Sequence, residues 1–276
     1  MTELGIVDIR EIIRTLKTVH DYDFTNYALT SFKQRLERLM VMYGIGSPEN
    51  LLIKLREDLP FFDTFLNEIA VPSTEMFRDP SLWRWLREEY FPAALSRNTG
   101  KFKIWLPACV SGAELYSLAI LLTESGWLDK VSITASCFSN KGIETIRQGS
   151  YEAKKMEVSE ENYKRFNGTK ELSAYYKADH GILFRQVSLI DTVEFKKLTI
   201  NFDNAPQNNK LILFRNNLIY YNPTHQDKVL RLLHESLSVS GTLVTGIRER
   251  IPGVNTGRDF EVLNESESVY RKRTPN

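Results

Sequence analysis

The stretch from residue 103 to residue 122, KIWLPACVSGAELYSLAILL, constrains the fold of this chain more than any other. Its apolar start, 104–106, follows a turn signal at 98–100 and is typical of a strand covered on both faces. Leucine and alanine then recur at helical spacing over 115–122. At the small residues between them, 108–112, the backbone must turn sharply. The helix N-terminus that follows can bind a ligand. This order predicts the first unit of a nucleotide-type α/β domain, although one glycine before a helix is more often a plain turn.

Composition is typical of a soluble globular protein. Of the 276 residues, 42% are hydrophobic and 26% are charged, and the net charge is +1. A net charge this close to zero argues against non-specific nucleic-acid binding as a main role. No apolar run approaches a membrane span and the N-terminus lacks a signal-peptide layout, so we expect a cytoplasmic protein without membrane insertion. Two cysteines and four scattered histidines provide neither a disulfide framework nor zinc-ligand spacing, so no metal site is expected.

The first part of the chain, residues 1–71, predicts a small all-helical domain. Apolar residues recur there at three- and four-residue steps, and Ser47-Pro48-Glu49 is a helix start signal. The predicted helices cover 4–19, 25–43, a stretch after 48, and 60–69.

The second of these helices carries basic residues on the side away from its apolar positions. They are Lys33, Arg35 and Arg38. One interpretation of these residues is a solvated surface, on which Lys33 and Glu37 pair with each other.

Residues 72–92 predict a linker and one helix, which starts at Asp79-Pro80 and ends near Pro92. Residues 93–276 predict an α/β domain of seven strands with intervening helices, hence a mixed sheet. Its strands are expected at 104–106, 131–138, 183–187, 211–214 and 242–246, with a closing hairpin of 260–263 and 268–271.

Four motifs occur in the order known from one protein family. The stretch 103–122 resembles the segment W-S-A-G-C-S-x-G-E-E-P-Y-S-L-A, and residues 74–79, TEMFRD, resemble T-x-F-F-R-D. Residues 149–151, GSY, are similar to G-x-Y, and residues 214–221, FRNNLIYY, are similar to C-R-N-V-x-I-Y-F. Over residues 22–273 the chain therefore resembles the CheR family, S-adenosylmethionine-dependent methyltransferases that esterify glutamates on bacterial chemoreceptors.

The resemblance implies a class I S-adenosylmethionine-dependent methyltransferase sandwich after the helical domain. It implies methyl transfer to glutamate carboxylates of a chemoreceptor-like helical protein or another signalling protein. In the family, basic residues of the second helix face acidic receptor helices, and Lys33, Arg35 and Arg38 match them. A small antiparallel subdomain of the family corresponds to a short remnant around 168–181. Methyl transfer to glutamate needs little acid-base help, because the carboxylate is already ionised near neutral pH.

The resemblance also implies roles for individual residues. Arg78 would orient the substrate carboxylate or the cofactor, and Tyr220 would fix the acceptor oxygen. The pair Arg215-Asn216 has a second interpretation, in which it ties a strand end to the preceding linker. The positions that match the family's S-adenosylmethionine contacts are Thr74, Arg78, Gly112, Glu114, Cys137, Ser188, Leu189, Arg215 and Asn216.

Several positions depart from the family pattern where the cofactor is expected. The acid that binds both ribose hydroxyls, part of D-x-D in the family, is replaced by residues 137–139, Cys-Phe-Ser. Losing about 1.5–3 kcal/mol of charged hydrogen bonding would weaken binding by about one to two orders of magnitude. Ala113, Ser188 and Lys210 likewise replace polar or acidic residues of the family. These departures leave open an alternative, a catalytically inactive relative that acts as a binding or regulatory module.

Cys109 and Cys137 lie near the ends of two strands that are expected to be neighbours. Adjacent strands lie about 4.8 Å apart, within the reach of a disulfide, so a redox-sensitive pair is one interpretation. Two reduced and buried thiols are the simpler expectation.

Overall fold

The computed structural model describes residues 4–69, 75–180, 182–198, 204–251 and 260–273. The expected boundary between the helical domain and the linker, at 71/72, lies outside these residues, as does Thr74. None of the helices in the described ranges combines the length and the apolar character needed to cross a membrane.

Residues 4–69 fold into amphipathic helices whose apolar faces meet. Helix α3 begins where the hydroxyl of Ser47 accepts a hydrogen bond from the N–H of Asn50 at 3.2 Å, with Pro48 in its first turn. Helix α2 begins later than predicted, because Tyr27 pairs as an isolated bridge with Tyr221 of the α/β domain. The bounds are α1 Ile6–His20, α2 Leu29–Met42, α3 Pro48–Glu57 and α4 Leu59–Ile69.

The helix after the linker is longer than predicted. Helix α5, Pro80–Trp85, continues through a π turn, Leu86–Tyr90, into α6, Phe91–Ser96. The expected end near Pro92 is wrong. In the π turn the N–H of Phe91 donates to the carbonyl of Leu86, five residues back. The shifted ladder lets Pro92, which has no N–H, lie in the first turn of α6 instead of breaking the helix.

Within the described residues, a seven-stranded mixed sheet has the strand order β6-β2-β1-β7-β8-β10-β9. The first five of these pair in parallel, and β10 lies antiparallel between β8 and β9. This architecture confirms the predicted fold class. Its strands are β1 Phe102–Leu106, β2 Val131–Cys137, β6 Glu194–Lys197, β7 Asn209–Leu213, β8 Leu237–Val244, β9 Phe260–Asn264 and β10 Val269–Lys272. The helices between and beside them are α7 Ala113–Glu124, α8 Asn140–Arg147, α9 Met156–Phe166 and α10 Pro223–Ser236.

One predicted strand belongs to a different sheet. The segment expected at 183–187 forms β5, Ile182–Arg185, between β3, Ser150–Tyr151, and β4, Tyr176–Asp179, in a separate three-stranded sheet. The seventh strand of the main sheet is instead β6, an edge strand that pairs with β2. Its sequence, EFKK, is short and largely charged, as edge strands often are, so it gives little strand signal.

A continuous apolar core joins the helical region to the sheet. Phe24 and Phe65 of the helical region share one cluster with Trp105 of β1, Phe214 after β7 and Tyr221. A second cluster covers the other face of the sheet and includes α5 and α7. The helical region therefore packs directly on the face and end of the sheet that carry the predicted site.

Candidate functional site

The carboxyl ends of β2, β1 and β7 lie side by side, because these strands are neighbours in that order. The turn after β1 contains Ala108 at φ 55° and Gly112 at φ 71°, both in the left-handed region. A β-carbon on Gly112 would lie 2.9 Å from the side chain of Ile146, so both the backbone angle and the space require glycine. This turn starts α7 at the edge of the sheet where ligands of α/β proteins bind.

Arg215, just after β7, joins the linker to α7 through a buried ion-pair network. Its Nη1 donates to Oε1 of Glu114 at 2.8 Å, and its Nη2 donates to Oδ2 of Asp79 at 2.7 Å. Nη2 also donates to the carbonyl of Arg78 at 3.0 Å. Only 3% of the Arg215 side chain is exposed. Burial opposes its charge, but the two carboxylates outweigh burial and raise the pKa of Arg215 above its ordinary value.

Glu114 and Arg78 bring opposite charges to this place. Glu114 lies in the first turn of α7, where a carboxylate is favoured by the helix dipole. Burial raises the pKa of Glu114, and the charges of Arg215 and Arg78 oppose that shift. The side chain of Arg78 is 40% exposed, and its Nε lies 3.8 Å from Oε1 of Glu75. Arg78 is therefore partly open to solvent and only loosely paired.

Glu249 holds the loop that carries Asn216 and Tyr220. Its Oε2 accepts from the N–H groups of Asn216 at 2.7 Å and Gly246 at 2.8 Å, and its Oε1 accepts from Ile219 at 3.1 Å. A single buried carboxylate thus orders the backbone after β7 and after β8. Glu249 is not among the predicted site residues, since its burial, unlike its acidic character, is visible only in the structure.

The three basic residues of α2 have different surroundings. The guanidinium of Arg35 lies 4.2 Å from the ring centroid of Tyr220 and donates to the carbonyl of Ile69. Lys33 lies 3.7 Å from Glu37, and Arg38 is exposed. The structure therefore separates Arg35 from the other two and brings it to Tyr220. A docking role for these residues stays a prediction.

The end of β2 carries no acid of its own. Cys137, Phe138 and Ser139 are all buried, and Phe138 belongs to the cluster shared with the helical region. Asp63 of α4 reaches this end instead. Its carboxylate accepts from the N–H groups of Asn140 at 3.1 Å and Lys141 at 2.8 Å. No sequence signal predicts this cap, since it comes from a helix 77 residues away in sequence.

Cys109 and Cys137 are free and buried. The N–H of Cys109 donates to the carbonyl of Ser136 at 2.7 Å, which continues the pairing of β1 with β2. A hydrogen bond with Cys109 and burial raise the pKa of the Cys137 thiol well above its ordinary value, so Cys137 is a protonated thiol near neutral pH.

The remaining predicted cofactor residues lie after β5. Leu189 is buried, whereas Ser188 is exposed and its hydroxyl accepts from Nε2 of Gln186 at 3.0 Å. Arg185, which the sequence analysis missed, donates to the carbonyls of Ser111 at 2.9 Å and Ser150 at 3.0 Å. It thereby ties the small sheet to the turn before α7.

An open cavity of about 470 Å³ lies elsewhere on the molecule. Its walls include Tyr90, Phe102 at the start of β1 and Lys210 at the start of β7. These are the opposite ends of the strands from the turns described above. This cavity is therefore separate from the candidate site, which lies at the carboxyl ends of the strands.

A zwitterionic ligand matches the charges at the candidate site. The amino-acid part of S-adenosylmethionine carries an ammonium group, which suits Glu114, and a carboxylate, which suits Arg78. At the β2 end, Cys137 and Ser139 are uncharged, and Asp63 already accepts two backbone N–H groups. The residues present fit the amino-acid part of this cofactor, and residues 137–139 at the end of β2 offer no acid for its ribose.

The sheet order and the site at the carboxyl ends of its parallel strands define a class I methyltransferase fold. Residues 72–268 match the family described as CheR methyltransferase, SAM binding domain. The chain belongs to the CheR methyltransferase family, and the family confirms S-adenosylmethionine as the expected cofactor.

The chain is similar to several named proteins. The chain is 33% identical over 266 residues to a Pseudomonas putida protein named Cher3 and provisionally described as a methyltransferase, covering 96% of this chain and 97% of that protein. It is 28% identical over 244 residues to a chemotaxis protein methyltransferase of Listeria innocua, covering 86% and 88%. The N-methyltransferase NodS of Bradyrhizobium japonicum, in complex with S-adenosyl-L-homocysteine, is 12% identical with a TM-score of 0.38, covering 81% and 97%.

Proposed function

We propose that this chain transfers the methyl group of S-adenosylmethionine to glutamate carboxylates of a helical signalling protein of the chemoreceptor kind. The observation that carries the proposal is the Arg215 network. By binding Asp79, the Arg78 carbonyl and Glu114 at once, Arg215 fixes the linker against the first turn of α7. Glu114 and Arg78 are thereby held at one place, so that a negative and a positive charge are available for the ammonium group and the carboxylate of a zwitterionic ligand.

The residues of the site would then have separate roles. Glu114 and Arg78 would hold the amino-acid part of the cofactor, and the turn ending at Gly112 would leave room for it. When bound, the cofactor supplies a methyl group on a positively charged sulfur. The acceptor carboxylate is already ionised, so Tyr220 need only orient it, and positioning would be the main catalytic effect.

A direct test is methylation of a chemoreceptor signalling-domain fragment with tritium-labelled S-adenosylmethionine. Base-labile counts released as methanol identify a carboxyl methyl ester. Arg78→Gln should lower the rate on the order of a hundredfold, because an oriented charge in the site is lost. Arg97→Gln is the matched control, since Arg97 is an exposed arginine at the end of α6, and its rate should equal that of the wild type. No counts with the wild type would remove the proposal.

One observation favours a second function, a binding module without catalysis. The end of β2 has no ribose-binding acid, and Phe138 there packs into the shared core. In that case the receptor fragment would bind the chain in a pull-down, no methyl ester would form, and S-adenosyl-L-homocysteine would leave the binding unchanged.

A further inference from the structure

The side chain of Arg35 lies at Tyr220 and not on the outward surface of α2. Its guanidinium is 4.2 Å from the centroid of the Tyr220 ring and also donates to the carbonyl of Ile69, at the end of α4. Burial lowers the pKa of Arg35, and nearby tyrosines oppose that shift. A cation over an aromatic face restricts the tilt of the ring, because the attraction falls when the ring turns away.

The backbone of Tyr220 is held by the segment that leads into the same helix. The N–H of Ala28 donates to the carbonyl of Tyr220 at 2.9 Å, and the N–H of Asn222 donates to the carbonyl of Asn26 at 2.9 Å. Between them, the rings of Tyr27 and Tyr221 meet edge to face at 5.1 Å. Residues 26–28 therefore fix the main chain of Tyr220, whose ring packs against the shared apolar cluster and carries the guanidinium of Arg35 over its face.

We propose that Arg35 is a positioning residue that sets the orientation of the Tyr220 ring for methyl transfer. The proposal rests on the proposed function, in which the hydroxyl of Tyr220 contacts the acceptor carboxylate. Arg35 does not need to touch the substrate for this role. Because the reacting atoms must be aligned closely, a tilted ring should lower kcat and leave the binding of S-adenosylmethionine unchanged.

The test combines single and double variants in the methylation assay. Arg35→Gln should lower kcat ten- to a hundredfold, on the order that misplaced catalytic groups cost, with KM for S-adenosylmethionine unchanged. Arg35→Lys should recover part of the loss, since an ammonium group also binds an aromatic face. In a Tyr220→Phe background, Arg35→Gln should have little further effect, because the hydroxyl that it positions is already missing. Gln34→Ala, at an exposed position of the same helix, is the control and should match the wild type.

Other outcomes contradict the proposal. An equal fall in kcat caused by Arg35→Gln in both backgrounds would show that Arg35 only supports the fold, and an unchanged kcat would show that it has no role. If the wild type transfers no methyl group, the proposed function fails by itself. The contact between Arg35 and the Tyr220 ring is then tested by the NMR signals of the tyrosine rings. The signal that disappears in Tyr220→Phe must shift in Arg35→Gln, and an unshifted signal would overturn the positioning role.

Discussion

Replacing Arg215 by methionine is expected to destabilise the protein strongly. The substitution keeps much of the side-chain volume and removes the charge that faces Asp79 and Glu114. These two carboxylates lie 2.7 Å and 2.8 Å from the guanidinium, whose side chain is only 3% exposed. Without Arg215 they are left partly buried, close together and without that counter-charge.

The size of the effect follows from burial. Removing one partner of a buried ion pair costs about 3–5 kcal/mol. Asp79 and Glu114 keep 25% and 22% of their side-chain exposure, so water compensates in part and the lower end of that range applies. A loss of about 3 kcal/mol lowers the melting temperature of a chain of this size by about 6–12 °C. The triple variant Asp79→Asn, Glu114→Gln, Arg215→Met should recover much of it, because no unpaired charge remains.

Urea denaturation and thermal melting measure the effect. The control is Arg271→Met, which breaks the Arg271–Glu261 pair at 3.2 Å, where the side chains are 45% and 46% exposed. An exposed pair contributes at most about 1 kcal/mol, so this variant should stay close to the wild type. If Arg215→Met loses no more stability than Arg271→Met, the buried network does not hold the linker on α7.

Three further predictions concern the surroundings of the site. Glu249→Ala should cost about 2–4 kcal/mol in urea denaturation, because buried N–H groups lose their acceptor, and Glu249→Gln should cost less. Burial lowers the pKa of His225, whose ring nitrogens have no hydrogen-bond partner in the described part of the chain. The unfolded chain therefore takes up the proton first, and stability should fall as the pH drops below about 6.5. In His225→Phe the urea midpoint should change less between about pH 6.5 and 5.5. An unchanged slope of the midpoint against pH would contradict this reasoning. Asp63→Ala should cost about 1 kcal/mol and speed amide exchange at Asn140 and Lys141, and unchanged exchange would exclude the cap.

The sequence predicts most of the main sheet because its buried strands are apolar and its helices have strong start signals. Helix α3 begins at Pro48, as the serine-proline signal before it indicates. The edge strand β6 is missed because a short charged strand has no buried face to pattern. The helix end predicted near Pro92 is wrong because of the π turn, which depends on the packing of the whole helix. With this turn, the helix continues without a hydrogen bond from Pro92, which has no N–H.

The candidate site is predictable only where one local motif carries it. Gly112 is found from the turn before α7. Contacts that join distant parts of the chain cannot be predicted in this way, because no local sequence pattern indicates them. The stacking of Arg35 on Tyr220 is one example, and the Asp63 cap of α8 is another. Arg215 ties the strand end to the linker, as its second interpretation says, and also pairs with Glu114. Its contact with a cofactor stays a prediction.

Calorimetric titration with S-adenosyl-L-homocysteine measures the cofactor site without needing a substrate. We expect saturable binding in the micromolar range for the wild type. Glu114→Gln should bind at least about tenfold more weakly, because the ammonium group of the ligand loses its charged partner. An absence of binding heat at millimolar ligand, with the protein folded, would contradict the claim that these strand ends hold an adenosyl amino acid.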